Sequence, residues 1–178
     1  SRDYCYGWWL NMFADFDFQV IVEAAPILWR GMLITLLLTA VAIVGGILFG
    51  TVLALMRLSR FMVLSVFSGR YVDAFRSTPL ILVIFWFYFA VPYVVGRPIG
   101  DLYSVLIAFT LFEAAYYCEI IRAGIQSIRQ PQVHAGLALG LSNWQTTRSI
   151  VLPQAFRNMV PVILTQAIVL FQDTSLVY

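Results

Sequence analysis

Lysine is missing from this 178-residue sequence, and all eleven basic residues are arginine. A nucleotide-binding loop of the form G-x-x-x-x-G-K-[ST] needs its lysine on the phosphates, so the chain is not itself a P-loop ATPase. Histidine occurs once, at His134, and cysteine twice, at Cys5 and Cys118. A single histidine cannot form a His-pair zinc site, and two distant cysteines give neither a disulfide framework nor metal-ligand spacing. Charge is scarce: 11% of the residues are charged, against about 25% in a soluble domain. The net charge of +2 is too small to suggest a nucleic-acid partner. The one histidine lies outside the apolar segments and no Ser/His or Asp/Asp pair is placed for chemistry, so an intramembrane enzyme is not expected. Internal repeats, low-complexity stretches and a signal peptide are all lacking. The sequence also lacks an initiator Met and a polar tail after Tyr178, and it reads as a fragment or as trimmed at both ends.

What is abundant is apolar surface. Hydrophobic residues make up 61% of the chain, where soluble domains run at about 45–50%. That excess is too large for one buried core, so lipid is the expected solvent for much of the surface. Residues 1–30 mix aromatics such as Trp8 and Trp9 with Asp3, Asp15, Asp17 and Glu23, which suits an interfacial, extracytoplasmic segment. Residues 31–178 form the membrane domain. The first span is read from Gly31 to Met56, with Gly46 and Gly50 at the GxxxG spacing that lets a second helix approach. Met62 to Phe75 reads as a partly polar surface helix running into a second span, Ser77 to Val95, with Pro79 near its start. A turn at Gly96–Gly100 leads to a third span from Leu102 to Ile121. Residues 123–149 are polar, and a fourth span runs from Ile150 to Phe171. The fold expected is an all-α integral membrane protein with four crossings.

Arginine sets the orientation, because cytoplasmic loops hold the excess. Arg57, Arg60, Arg70 and Arg76 lie between the first two spans, Arg97 alone between the next two, and Arg122, Arg129 and Arg148 between the last two. The first and third connections are therefore expected in the cytoplasm and the N-terminus outside.

The third connection has structure of its own. Pro131 suits a first helical position, and Gly140 is placed to end that helix in the left-handed conformation. Ser142 and Gln145 make the S-x-x-Q capping box of a second helix, which Pro153 would end or kink. A helix–turn–helix results, exposing Ala135, Gly136 and Ala138 for a groove in a partner.

These residues resemble a family. Permease subunits of ATP-binding-cassette importers carry a cytoplasmic loop E-A-A-x3-G-x9-I-x-L-P. Here His134, Ala135, Gly136, Gly140, Ile150, Leu152 and Pro153 keep that spacing, with His134 at the Glu position and Gly136 at the second Ala. Phe75–Leu80, Phe112–Ile125 and Leu170–Leu176 are similar to the second, third and fourth spans of polar amino-acid permeases. Within the family, the third-span and C-terminal segments look most like permeases of glutamate/aspartate importers.

The resemblance implies the type I importer permease fold, with a fifth span in the full-length protein, and a place in a bacterial inner membrane. It implies a non-catalytic subunit that binds no cofactor. ATP and Mg would sit on a partner ATPase docked at residues 123–149. A second permease subunit, identical or paralogous, and a periplasmic solute-binding protein would complete the importer. The competing class is a self-sufficient ion-coupled carrier or channel, which would show paired broken helices in two related halves; none is apparent.

Charged and hydroxyl groups at membrane depth are the candidates for the translocation path. Glu113 is costly in lipid unless it faces a cavity or a partner; it either lines the path or packs by hydrogen bonding. Glu119 and Arg122 stand at i,i+3 and form an intrahelical pair or a gate. Arg76 either pairs across the subunit or anchors the span. Arg157 contacts substrate or snorkels. Asp173 gates or caps a short helix, and Tyr116 and Tyr117 either offer hydroxyls or pack as rings.

Overall fold

The computed structural model describes residues 18–96 and 100–177. Of residues 1–30, read as an interfacial segment, 1–17, Cys5 among them, lie outside the described residues, as does Arg97. Every regular element among the described residues is helical. The chain divides into two compact units, Ser1–Leu36 and Leu37–Tyr178. The described part of the first belongs to helix α1, which continues into the second, and the second holds every other element discussed below.

Helix α1, Phe18–Arg57, is longer than the span read from charge. Arg30 and Glu23 do not interrupt it, and Pro26 lies within it. Helix α2, Met62–Ser77, stops at Thr78, whose extended backbone precedes Pro79; a residue before proline is pushed out of the α region. Pro79 then caps α3, Leu80–Phe85, at its N-terminus. The second span therefore starts at Leu80 rather than Ser77, and the chain bends by 106° between α2 and the segment Leu80–Val95.

The second and fourth spans each contain a π-turn where the sequence reading had none. Residues Trp86–Ala90 form one, leading into α4, Val91–Val95. Residues Thr147–Val151 form the other. Each precedes a proline, Pro92 or Pro153, whose i−4 carbonyl lies inside the π-turn. Widening the helix there accommodates the missing N–H and the ring. Pro153 consequently does not end its helix. The rod starts at α7, Asn143–Thr146, and continues through the π-turn into α8, Leu152–Asp173. A 3-10 turn, Thr174–Val177, follows.

Helix α5, Asp101–Gln126, is the central element. Its Phe109 and Phe112 pack with Ala42, Leu80, Val83 and Leu170, and its Ala114, Ala115 and Cys118 pack with Leu53 and Val72. The glycines of α1 allow this. A Cβ on Gly46 would lie 2.9 Å from Glu113 Cβ, and one on Gly50 would lie 2.8 Å from the Ala114 carbonyl oxygen. The GxxxG pair is thus a close-approach seam between α1 and α5. Ile128, Val151, Ala155 and Met159 form a third cluster.

Among the described residues three helices are long and apolar enough to cross a membrane, and the bent pair adds a fourth crossing if counted as one span. Residues 123–149 are less of a loop than expected: α5 runs to Gln126 and the last rod starts at Asn143.

Candidate docking hairpin and translocation crevice

The segment between α5 and the last rod folds as a tight hairpin. Helix α6, Gln130–Ala138, ends at Gly140, which holds φ +84°. Gly140 N–H donates to the Leu137 carbonyl at 3.0 Å, and Leu141 N–H to the Gly136 carbonyl at 3.2 Å. This is the Schellman pair that satisfies the carbonyls of a closing helix. Ser142 N–H donates to Gln145 Oε1 at 2.9 Å, and Gln145 N–H donates to Ser142 Oγ at 3.3 Å. Both halves of the expected capping box are made.

Gly136 departs from expectation. It is buried rather than presented at the turn, because a Cβ there would meet Ile150 Cδ1 at 2.7 Å and Thr146 Cγ2 at 3.0 Å. It lets α6 lie against the π-turn. His134, Ala135, Ala138 and Gly140 are exposed, as are Leu152 and Pro153, while Ile150 is half-buried. The outer face gains two apolar side chains that the sequence reading passed over, Leu139 at 83% and Trp144 at 66% exposure.

Two open cavities run along α5 and α8. One, of about 430 Å³, is lined by Glu119, Ser127 and Asn158 among others. The other, of about 610 Å³, is lined by Thr78, Phe112 and Asp173 among others. Arg76, Tyr116 and Gln166 line both, so the two lobes form one crevice with a shared waist. The Arg76 guanidinium lies 5.4 Å from the centroid of the Tyr116 ring, within cation–π range. Among the described lining residues Arg76 is the cation, flanked by Glu119 in one lobe and Asp173 in the other.

Glu113 and Tyr117 do not line these lobes. Glu113 is fully buried and accepts from Gln166 Nε2 at 3.0 and 3.3 Å through its two oxygens. Tyr117 is fully buried, and its hydroxyl has no hydrogen-bond partner among the described residues. Of the two tyrosines, Tyr116 is the one that reaches the crevice.

Glu119 and Arg122 do pair, and the pair is part of a larger network. Arg122 grips Glu119 through Nε at 3.1 Å and through a second contact at Nη2, and donates to Gln126 Oε1 at 2.6 Å. Arg57 Nη1 reaches the same carboxylate at 3.0 Å from the end of α1. Its contact with Asp73, at 3.9 Å to a largely exposed carboxylate, adds little. Asn158 Nδ2 donates to Ser127 Oγ at 2.8 Å and joins α8 to the end of α5. Arg157 is exposed. Asp173 is the last residue of α8, and the following Thr174 donates its Oγ1 to the Phe171 carbonyl at 2.6 Å.

Residues 46–178 match the family described as "Binding-protein-dependent transport system inner membrane component". The chain is 54% identical over 171 residues to the glutamate/aspartate import permease protein GltK of Escherichia coli O6:H1, covering 92% of this chain and 76% of that protein. It is 40% identical over 162 residues to the probable glutamine ABC transporter permease protein GlnP of Bacillus subtilis, covering 91% and 74%. The crystal structure of an amino acid ABC transporter with histidines superposes with a TM-score of 0.85 at 30% identity, covering 91% of this chain and 75% of that one. A methionine ABC transporter, MetNI, in an inward-facing conformation shares the fold, with a TM-score of 0.69 at 24% identity.

Proposed function

The chain belongs to the family of binding-protein-dependent transport system inner membrane components, and from that premise we propose that it passes acidic amino acids, glutamate and aspartate, through the crevice between α5 and α8. It is a permease subunit of an ATP-binding-cassette amino-acid importer. The 54% identity to GltK supports the acidic substrate class.

The observation that carries the mechanism is continuity. The hairpin closed by Gly140 and Ser142 leads without a break into the rod that ends as α8. Helix α8 in turn supplies Asn158, Gln166 and Asp173 to the crevice. A force applied to the hairpin therefore reaches the crevice wall through one element.

In this reading the hairpin faces the cytoplasm and seats in a partner ATPase, which holds the ATP and Mg. A second permease subunit completes the pathway, and a periplasmic binding protein delivers the amino acid. ATP shifts the population between inward and outward access only if it binds one arrangement better than the other.

The test is reconstitution of the importer in proteoliposomes, with the binding protein outside and ATP within. Uptake of labelled L-glutamate that requires ATP and survives collapse of ion gradients supports the reading. Uptake driven by an ion gradient without ATP refutes it.

A further inference from the structure

We propose that Glu113 is a positioning residue that fixes the amide of Gln166 with its carbonyl oxygen toward the crevice waist, making that waist a binding site for the zwitterion of an α-amino acid. The proposal rests on the reading of the crevice as the substrate's path.

The argument starts from an amide with two ends. Gln166 sits where both lobes meet, beside Arg76 and Tyr116. A glutamine amide can present either a donor or an acceptor by turning over. Here Nε2 is committed to Glu113, 3.0 Å from one carboxylate oxygen and 3.3 Å from the other. An ionised Glu113 only accepts, so with the acid charged the opposite amide orientation would set oxygen against oxygen. The carbonyl is the end of the lining amide that this contact leaves uncommitted.

Glu113 is held as firmly as its partner. It is fully buried, and its Cβ fills the space that a side chain on Gly46 of α1 would need. An acid so placed in the bilayer is expensive unless it meets a polar partner, and the partner it meets is the lining amide of Gln166.

The waist then offers complementary groups. Arg76 presents a guanidinium suited to a carboxylate. It rests over the Tyr116 ring, a weaker partner that a carboxylate can displace. The Gln166 carbonyl accepts from an ammonium group, and Asp173 stands in the adjoining lobe as a second acceptor. A zwitterion satisfies both ends; a dicarboxylate without an ammonium group satisfies one.

The test is equilibrium binding of labelled L-glutamate to the permease–ATPase complex in nanodiscs without binding protein, with glutarate as the competitor that lacks the ammonium. The wild type is expected to bind L-glutamate and to prefer it over glutarate. In Glu113→Gln the amide pair can form either way round, and L-glutamate should bind roughly tenfold more weakly, the worth of one charge-assisted hydrogen bond, with glutarate unaffected. Gln166→Glu, which sets two carboxylates face to face, should lose binding. The exchange Glu113→Gln with Gln166→Glu restores a donor inside and an acceptor at the waist, and should recover binding and the preference over glutarate.

Rescue by the exchange is the outcome a purely structural role does not produce. The proposal is overturned if Glu113→Gln binds L-glutamate like the wild type, or if the exchange is no better than Gln166→Glu. It is also overturned if the wild-type complex binds no L-glutamate while still importing it with ATP; the import reading then stands. Failure of ATP-driven import itself would remove that reading.

Discussion

Replacing Gly50 by alanine adds one methyl group to the α1–α5 seam, and the structure says where it goes. The new carbon would lie 2.8 Å from the Ala114 carbonyl oxygen, 2.9 Å from Tyr117 Cβ and 3.0 Å from the Cys118 amide nitrogen. Two of these are backbone atoms in the middle of α5 and cannot turn aside. The helices must separate, which loosens Leu53 and Ala54 from Ala114, Ala115 and Cys118. Overpacking of this kind costs about 1–3 kcal/mol. With two unyielding backbone contacts the cost falls in the upper half of that range, about 2–3 kcal/mol. Alanine recovers up to about 1 kcal/mol of helix propensity, so the expected net loss is about 1–2 kcal/mol. Gly69 is the control: it lies inside α2, and a Cβ there meets nothing within 4 Å. Gly69→Ala should stabilise, by about 0.5–1 kcal/mol. Reversible unfolding of the purified variants in bicelles measures both. A Gly50→Ala protein as stable as the wild type, or equal damage from Gly69→Ala, would refute the seam.

Two further predictions concern the polar groups. Glu119→Gln leaves Arg57 and Arg122 facing each other without the carboxylate they share; the loss should be about 1–3 kcal/mol in the same unfolding assay, and a neutral variant would show that water serves these guanidiniums equally well. Ser142→Ala removes one half of the capping box at about 1 kcal/mol, which hydrogen exchange should report as faster exchange at Gln145 and its neighbours, with the α5–α8 contacts unchanged.

Features built within a few residues of one another were readable in the sequence. The Gly140 turn, the Ser142–Gln145 box and the Glu119–Arg122 pair each close over three to five positions, so spacing alone specifies them. The Gly46–Gly50 spacing announced a close approach but not its partner. What joins distant segments was not readable. Arg57 meets Glu119 across 62 residues and Gln166 meets Glu113 across 53, and only the packing of α1 and α8 on α5 brings them together. Glu113 could be singled out as a costly acid, yet its burial away from the crevice depends on that packing.

Prolines misled in one direction. Pro153 reads as ending or kinking its helix; it does not end it, because a π-turn ahead of it keeps the rod continuous, as another does ahead of Pro92. Gly136 was misplaced for a similar reason: its spacing from Gly140 gives the motif, while its burial comes from Ile150 and Thr146 on the returning chain. Continuity through Pro153 is what links the hairpin mechanically to the crevice, so this correction bears directly on the mechanism.

The central claim is that the hairpin faces the cell interior and is gripped there by an ATPase. A single cysteine at position 134, His134→Cys in a chain with Cys5 and Cys118 replaced by serine, tests it most directly. Position 134 is exposed on α6, so a membrane-impermeant maleimide should label it in inside-out vesicles and not in right-side-out ones. Assembly with the ATPase should protect it. Labelling from the outer side, or labelling unchanged by the ATPase, would contradict the account.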